Sequence, residues 1–289
     1  MESLLIVMVG IQGSGKSTKA KELAKDIDGV ILSSDDIRKE NPSWDNGKVF
    51  EYLYKEMNNY IKDGKNVILD ATNTTLKSRR AIFDNLKFRA DVKIYAWVMN
   101  TSYAECVGRV LERNKDKNSH KVPIEVVKRY RDSFQIPLTT EGFDDVVMNT
   151  YNDFDSDQYL SLLHDTIGFN QQNKHHTLDL YGHSYKAGVD FDNIEIGLFH
   201  DIGKLFCQTF DENGEAHYYN HANIGAYYLM THTEVVRFSN FEKILAITNY
   251  HMLPYNWKEE KTQNKYKKIF GEDLYKILIK FHEADEGAH

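Results

Sequence analysis

At 289 residues and 41% hydrophobic content, the chain can fill one large core or two modest ones, and a prior of roughly 150 residues per domain favours two domains. A formal net charge of −7 argues against a surface coated in positive potential for gripping long nucleic acid, and two cysteines, Cys106 and Cys207, exclude a disulfide framework and a cysteine zinc cluster, which fits a reducing cytoplasm. Twelve histidines are unevenly placed: His120 is the only one before His164, so the second half carries different chemistry from the first.

The first element is the apolar run 4–9, too short to span a bilayer and leading into glycines rather than a cleavage site, so it reads as a buried strand. Gly10-Ile11-Gln12-Gly13-Ser14-Gly15-Lys16-Ser17 follows, with a helical stretch at 17–26 behind it. This is the spacing of a Walker A loop in its required strand-to-helix context: glycines let backbone N–H groups face phosphates, and the helix N-terminus favours the negative charge. Gly13, Ser14, Gly15, Lys16, Ser17 and Thr18 form the expected binding set for ATP or another nucleoside triphosphate. Within it Lys16 meets the β- and γ-phosphates, and Ser17 meets Mg²⁺.

A second strand at 30–32 runs into Ser33-Ser34-Asp35-Asp36-Ile37-Arg38, at the strand end where open α/β sheets place ligand-contacting side chains. Phosphorylating a hydroxyl needs a carboxylate to orient the alcohol and take its proton, and a cation to hold a phosphate on the acceptor; Asp35 and Arg38 are the expected pair. Further short apolar runs at 67–69, 92–98 and 145–147 alternate with helical stretches at 48–62, 77–86, 103–112 and 124–133, with Asn41-Pro42 and Asp63-Gly64 as breaks. That alternation predicts an α/β domain with a parallel sheet flanked by crossover helices.

The P-loop followed by Asp35-Asp36-Ile37-Arg38 resembles the 5′-hydroxyl polynucleotide kinase family, with its bacteriophage and bacterial end-healing members, over residues 3–148. Val67-Ile68-Leu69-Asp70-Ala71-Thr72-Asn73 with Arg79-Arg80, and Glu141-Gly142-Phe143, resemble further elements of that family. The resemblance implies a lid over the triphosphate at 109–121, to which Arg109 and Arg113 contribute. Lys117 stands where bacteriophage members place a second lid arginine, and as a point charge it loses the bidentate phosphate geometry of arginine.

After Met148 the strand signal stops, and the polar stretch 149–157, with Asp153, Asp155 and Asp157, reads as a short exposed linker. The expected division is a P-loop kinase-like domain at 1–150 and an all-α domain at 151–289, whose helices are marked by spacings such as Ile194, Leu198 and Ile202. Near its middle lies Phe199-His200-Asp201-Ile202-Gly203-Lys204. His176 and His183 precede this run, His221 and His251 follow it, and Asp285 stands in Phe281-His282-Glu283-Ala284-Asp285.

This order resembles the HD phosphohydrolase superfamily. The resemblance implies one metal site from His183, His200, Asp201 and Asp285, and a second from His221 and His251 bridged by Asp201, for Mn²⁺, Ni²⁺, Co²⁺ or similar ions. Such a site activates a water for phosphoester hydrolysis, and Lys204 is placed to stabilise phosphate charge. His176 stays undecided; His164, His175, His217, His232 and His282 read as packing or surface residues.

A kinase and a phosphohydrolase acting on the same atom would cancel, so the pair reads as acting on different ends of one substrate. Broken RNA with a 5′-hydroxyl and a 2′,3′-cyclic phosphate has such ends. The expectation is a soluble cytoplasmic end-healing enzyme for nucleic acid, RNA favoured and DNA possible, with a separate ligase as a partner and no membrane association. Two alternatives remain open: a nucleoside or nucleotide kinase fused to an HD nucleotidase, and a nucleotide-dependent switch with little catalysis.

Overall fold

Five parallel strands carry the first part of the chain, in the order β2-β3-β1-β4-β5: β1 Ser3–Val9, β2 Gly29–Ser33, β3 Asn66–Asp70, β4 Val92–Val98 and β5 Asp145–Met148. This computed structural model describes residues 3–117, 121–148, 154–172 and 177–288. The chain divides into two units, one of 1–130 with 137–149 and one of 131–136 with 150–289.

In the first unit, Leu5 through Val9 of the central strand are all fully buried, as a parallel strand covered on both faces requires. One face packs on helix α1 (Lys16–Asp26), where Ile6, Met8 and Ile68 meet Ala20 and Leu23. The chain winds from β1 to β2 and β3 on one side, then to β4 and β5 on the other. The loop after β1 therefore opens at the crevice where the winding reverses, the ligand position of open α/β sheets.

The remaining helices are α2 (Ser34–Glu40), α3 (Asn46–Lys62), α4 (Leu76–Asn85), α5 (Tyr103–Arg113) and α6 (Ile124–Asp132). The parallel sheet and flanking helices expected from the hydrophobic alternation are present. Residues 34–40, just past the end of β2, are helical: Ser33 caps the helix by accepting from the Asp36 N–H at 3.3 Å, and two aspartates sit in its first turn.

The second unit is built from α7 (Ser156–His164), α8 (Leu180–Phe191), α9 (Ile194–His200), α10 (His221–Thr231), α11 (Phe241–Tyr250) and α12 (Glu260–Glu286), the last broken at Gly271. It is not purely helical, because β6 (Thr209–Phe210) and β7 (Ala216–His217) pair antiparallel across the Asp211–Gly214 turn. Helix α8 packs on α9 and α12, and α10 packs on α11 and on the 3₁₀ turn Ile202–Phe206. Residues 131–136 join this unit because buried Asn249 accepts from the Ile136 N–H at 2.7 Å and donates to the Phe134 carbonyl at 3.1 Å, while the Phe134 ring packs edge-on to Tyr227.

His176 and Asn149 to Asp153 of the expected linker lie outside the described residues. Among the described residues no helix is long and apolar enough to cross a membrane.

Candidate active sites

The Walker loop closes on the start of α5. Gly13 has φ of +81°, and a Cβ there would lie 2.3 Å from the Cys106 carbonyl oxygen, so both backbone conformation and space demand glycine. Gly15, at φ of 90°, precedes the first residue of α1, which aims that helix's N-terminal N–H groups into the loop. Lys16 donates from Nζ to the Ile11 carbonyl at 2.9 Å, and burial lowers its pKa against the opposing pull of Asp70 and Asp35. Ser14 is buried with its Oγ unpartnered, whereas Ser17 and Thr18 are exposed at the mouth.

Arg109, on α5, reaches back to donate to the Gly13 carbonyl at 3.4 Å while pairing with Glu105. Arg113 lies one turn further along the same helix face and within electrostatic reach of Lys16. Lys117 is exposed beyond the helix end.

Arg38 is held from two helices. Its Nη1 pairs with Asp35 at 2.9 Å and donates to Ser34 Oγ at 3.2 Å, its Nη2 donates to Asn46 Oδ1 at 3.1 Å, and its guanidinium lies over the Phe50 ring. Asp35 thus pairs with Arg38 and lies within electrostatic reach of Lys16. The structure adds Asp70 to this group, buried at the C-terminal end of β3 and facing Lys16. An acid ending an apolar strand beside the P-loop strand is a signal that could have singled it out.

In the second unit His183, His200, Asp201, His221, His251 and Asp285 converge into two groups that could hold metal ions, His183–His200–Asp201–Asp285 and Asp201–His221–His251. All six are buried. Asp201 is shared through different oxygens. Its Oδ2 lies 3.4 Å from His183 Nε2 and 3.3 Å from His200 Nε2; its Oδ1 lies 3.1 Å from His221 Nε2 and 3.5 Å from His251 Nε2. Asp285 Oδ1 closes the first group at 3.0 Å from His183 and 3.2 Å from His200.

Each imidazole is oriented the same way. The Nδ1 atoms of His183, His200, His221 and His251 meet the carbonyls of Ala288, Gly197, Tyr218 and Thr248 at 2.8, 2.6, 2.8 and 3.0 Å. A carbonyl only accepts, so Nδ1 carries the proton and the Nε2 lone pair of a neutral ring faces the carboxylates. Lone pairs about 3 Å from carboxylate oxygens repel unless a cation or proton lies between them. Burial disfavours that proton on His200, yet Asp201 and Asp285 outweigh it and push the imidazole up to about 10, while its buried Nε2 makes no hydrogen bond. Burial likewise opposes ionisation of Asp201 and Asp285, but Lys204 and His200 for the first, and His200 for the second, hold both well below the carboxylate range. Converging nitrogen and carboxylate donors, four imidazole Nε2 atoms around two buried carboxylates, fit one or two borderline divalent cations.

Lys204 donates to Asp201 Oδ2 at 2.6 Å and to Gln171 Oε1 at 2.8 Å. Gln171, buried and fixed through its own carbonyl by the Tyr218 hydroxyl, was not legible as a site residue, since glutamine lies 33 positions away with no motif around it.

The first unit thus has a P-loop, kinase-like α/β fold, and the second is a helical unit around a histidine–aspartate cage. Residues 5–137 match a family model described as an AAA domain. A curated relative, the L-seryl-tRNA(Sec) kinase of Methanococcus maripaludis, is 28% identical over 170 residues, which cover 55% of this chain and 64% of the relative. Similar solved structures include the Pnkp1/Rnl/Hen1 RNA repair complex, 24% identical over 45% of this chain and 43% of that one with a TM-score of 0.40. A fungal RNA kinase is 20% identical over 54% and 79%, with a TM-score of 0.39.

Proposed function

We propose that this chain repairs nucleic-acid ends, RNA ends above all, by transferring the γ-phosphoryl group of ATP to a 5′-hydroxyl in its first unit and removing a 2′,3′-cyclic or 3′-phosphate in its second. The observation that carries this reading is the joint presence, in one chain, of an acceptor pair beside a P-loop and a cage of four inward-facing imidazoles sharing one aspartate. At the first site Asp35 orients the acceptor hydroxyl and takes its proton, Arg38 holds the neighbouring phosphate, and Lys16, Arg109 and Arg113 balance charge on the transferred group, with Ser17 and Asp70 on the Mg²⁺ side. At the second, His183, His200, Asp201 and Asp285 would hold one divalent cation, Mn²⁺, Ni²⁺ or Co²⁺ among the fitting ions, and Asp201, His221 and His251 another. Bound there, such ions supply an activated water and a clamp for phosphate oxygens. Lys204, held by Asp201 and Gln171, adds positive charge beside the first cation position.

The relative named for L-seryl-tRNA(Sec) supports a second reading, in which the accepted hydroxyl belongs to a group carried on RNA rather than to the RNA end. One assay separates these. The protein is incubated with labelled ATP, Mg²⁺ and Mn²⁺ and, in parallel, a 5′-hydroxyl RNA ending in a 2′,3′-cyclic phosphate, a seryl-tRNA and free nucleosides. End repair requires label on the RNA 5′ end and loss of the cyclic phosphate. Label only on seryl-tRNA selects the second reading; label only on nucleosides, or none anywhere, overturns both.

A further inference from the structure

Beside the cage stands a side chain with no part in holding it. Tyr255 lies in the 3₁₀ turn Pro254–Asn256, shortly after the cage residue His251. Pro254 fixes φ at the start of that turn, and the Asn256 and Trp257 N–H groups bond back to Leu253 and Pro254 at 3.0 and 2.9 Å. Trp257 is buried and stacked on Tyr266 and Tyr275, which anchors the far end. The backbone that places His251 therefore places Tyr255 as well.

The Tyr255 ring packs edge-on against His282, centroids 4.2 Å apart at 76°, and His282 precedes Asp285 by one turn of α12. Tyr255 thus stands between the segments that supply His251 and Asp285. It is 39% exposed, its hydroxyl has no hydrogen-bond partner among the described residues, and that hydroxyl is within electrostatic reach of Asp285, Glu286 and Asp201. Burial, with these carboxylates, holds the phenol well above its usual range, so it remains a donor through the working pH range.

We propose that Tyr255 contacts the substrate of the second site, its hydroxyl donating a hydrogen bond to a non-bridging oxygen of the phosphate group bound at the cage. This rests on the metal-dependent phosphoesterase reading, which assigns phosphate to that cage. Tyr255→Phe isolates the contact, since it keeps the ring against His282 and removes only the donor.

The full chain is loaded with Mn²⁺, and inorganic phosphate binding is measured by titration calorimetry for wild type and Tyr255→Phe, alongside Mn²⁺ stoichiometry, thermal midpoint, and kcat and KM on a 2′,3′-cyclic nucleotide. We expect unchanged stoichiometry and midpoint, and phosphate affinity roughly tenfold weaker in the variant, as for a lost hydrogen bond to a charged group. Equal phosphate affinity in the two proteins overturns the proposal, and if the wild type still hydrolyses the cyclic nucleotide, the phosphoesterase reading survives that result. Tyr255-dependent phosphate binding without hydrolysis upholds the contact and removes the hydrolase reading. No phosphate binding by the Mn²⁺-loaded wild type overturns both. Should Tyr255→Phe lose Mn²⁺ or stability, a tyrosine difference spectrum of wild type against Tyr255→Leu on adding phosphate decides: a signal confined to the wild type supports the contact, and identical signals refute it.

Discussion

Arg79 is fully buried, with its Nε and Nη2 each 2.7 Å from the two carboxylate oxygens of Glu141 and its Nη1 donating to the Asn73 carbonyl at 3.1 Å. Asn73 in turn donates to the Met8 carbonyl at 2.9 Å, so the pair braces the strand end that feeds the P-loop. Removing one partner leaves an uncompensated buried charge. We expect Glu141→Ala to cost about 3–5 kcal/mol in urea unfolding, and Arg79→Lys to destabilise too, because an ammonium cannot span both oxygens. The sequence presented Arg79 and Glu141 only as fragments of a family resemblance, since nothing local marks a guanidinium as buried when its partner lies 62 positions away. The cage residues were legible, because the order of histidines and aspartates survives in one dimension; Gln171 and Tyr255 were not, because what places them beside the cage comes from other elements.

A second residue-scale consequence follows from His200. In metal-free protein its pKa is raised from 6.5 to about 10, so its charged form contributes stability that is fully present below about 6.5 and lost as pH rises through about 10. The thermal midpoint of metal-free protein should therefore fall between those limits, and Asp285→Asn should flatten the fall. With the site metal-loaded the trend reverses, because cation binding displaces that proton and strengthens with pH. Differential scanning calorimetry with and without a chelator distinguishes the two.

At the scale of elements, the cage depends on how closely the 3₁₀ turn after Asp201 approaches α10. A Cβ on Gly203 would lie 2.0 Å from the His221 carbonyl oxygen and 2.7 Å from the Gly225 nitrogen, backbone atoms that can yield only if the helix moves. Gly203→Ala should push α10 away and carry His221 from Asp201 Oδ1, while His183, His200 and Asp285 stay in place. The expected outcome is loss of one metal equivalent, from two to one, by elemental analysis of protein loaded with Mn²⁺. The shortest elements of both units were less legible than the long strands of the sheet. Runs such as 4–9 and 92–98 announce buried strands by composition, whereas α2 has a single buried apolar residue, Ile37, and β6 and β7 have two residues each, too short for any alternation to register.

For the whole molecule, the sequence separated two chemistries by where the histidines begin, but it could not reveal that residues 131–136 pack with the second unit, because that grouping rests on Asn249 and Tyr250. What the grouping leaves intact is the completeness of each residue set. Lys16, Asp35, Arg38, Asp70, Arg109 and Arg113 all belong to the first unit, and every cage residue from His183 to Asp285 belongs to the second. No residue named in one set belongs to the other unit, so the two proposed activities should be separable by single substitutions. Lys16→Ala or Asp35→Ala should abolish phosphoryl transfer to the 5′-hydroxyl and leave cyclic-phosphate hydrolysis at the wild-type rate; His200→Ala or Asp201→Ala should do the reverse, with metal binding lost. Hydrolysis can be followed by chromatography of the 3′ end and transfer by labelling of the 5′ end in one reaction. Loss of both activities in Asp201→Ala, with the protein folded by circular dichroism, would mean that transfer requires an intact cage and that one coupled machine, not two independent sites, acts on the broken strand.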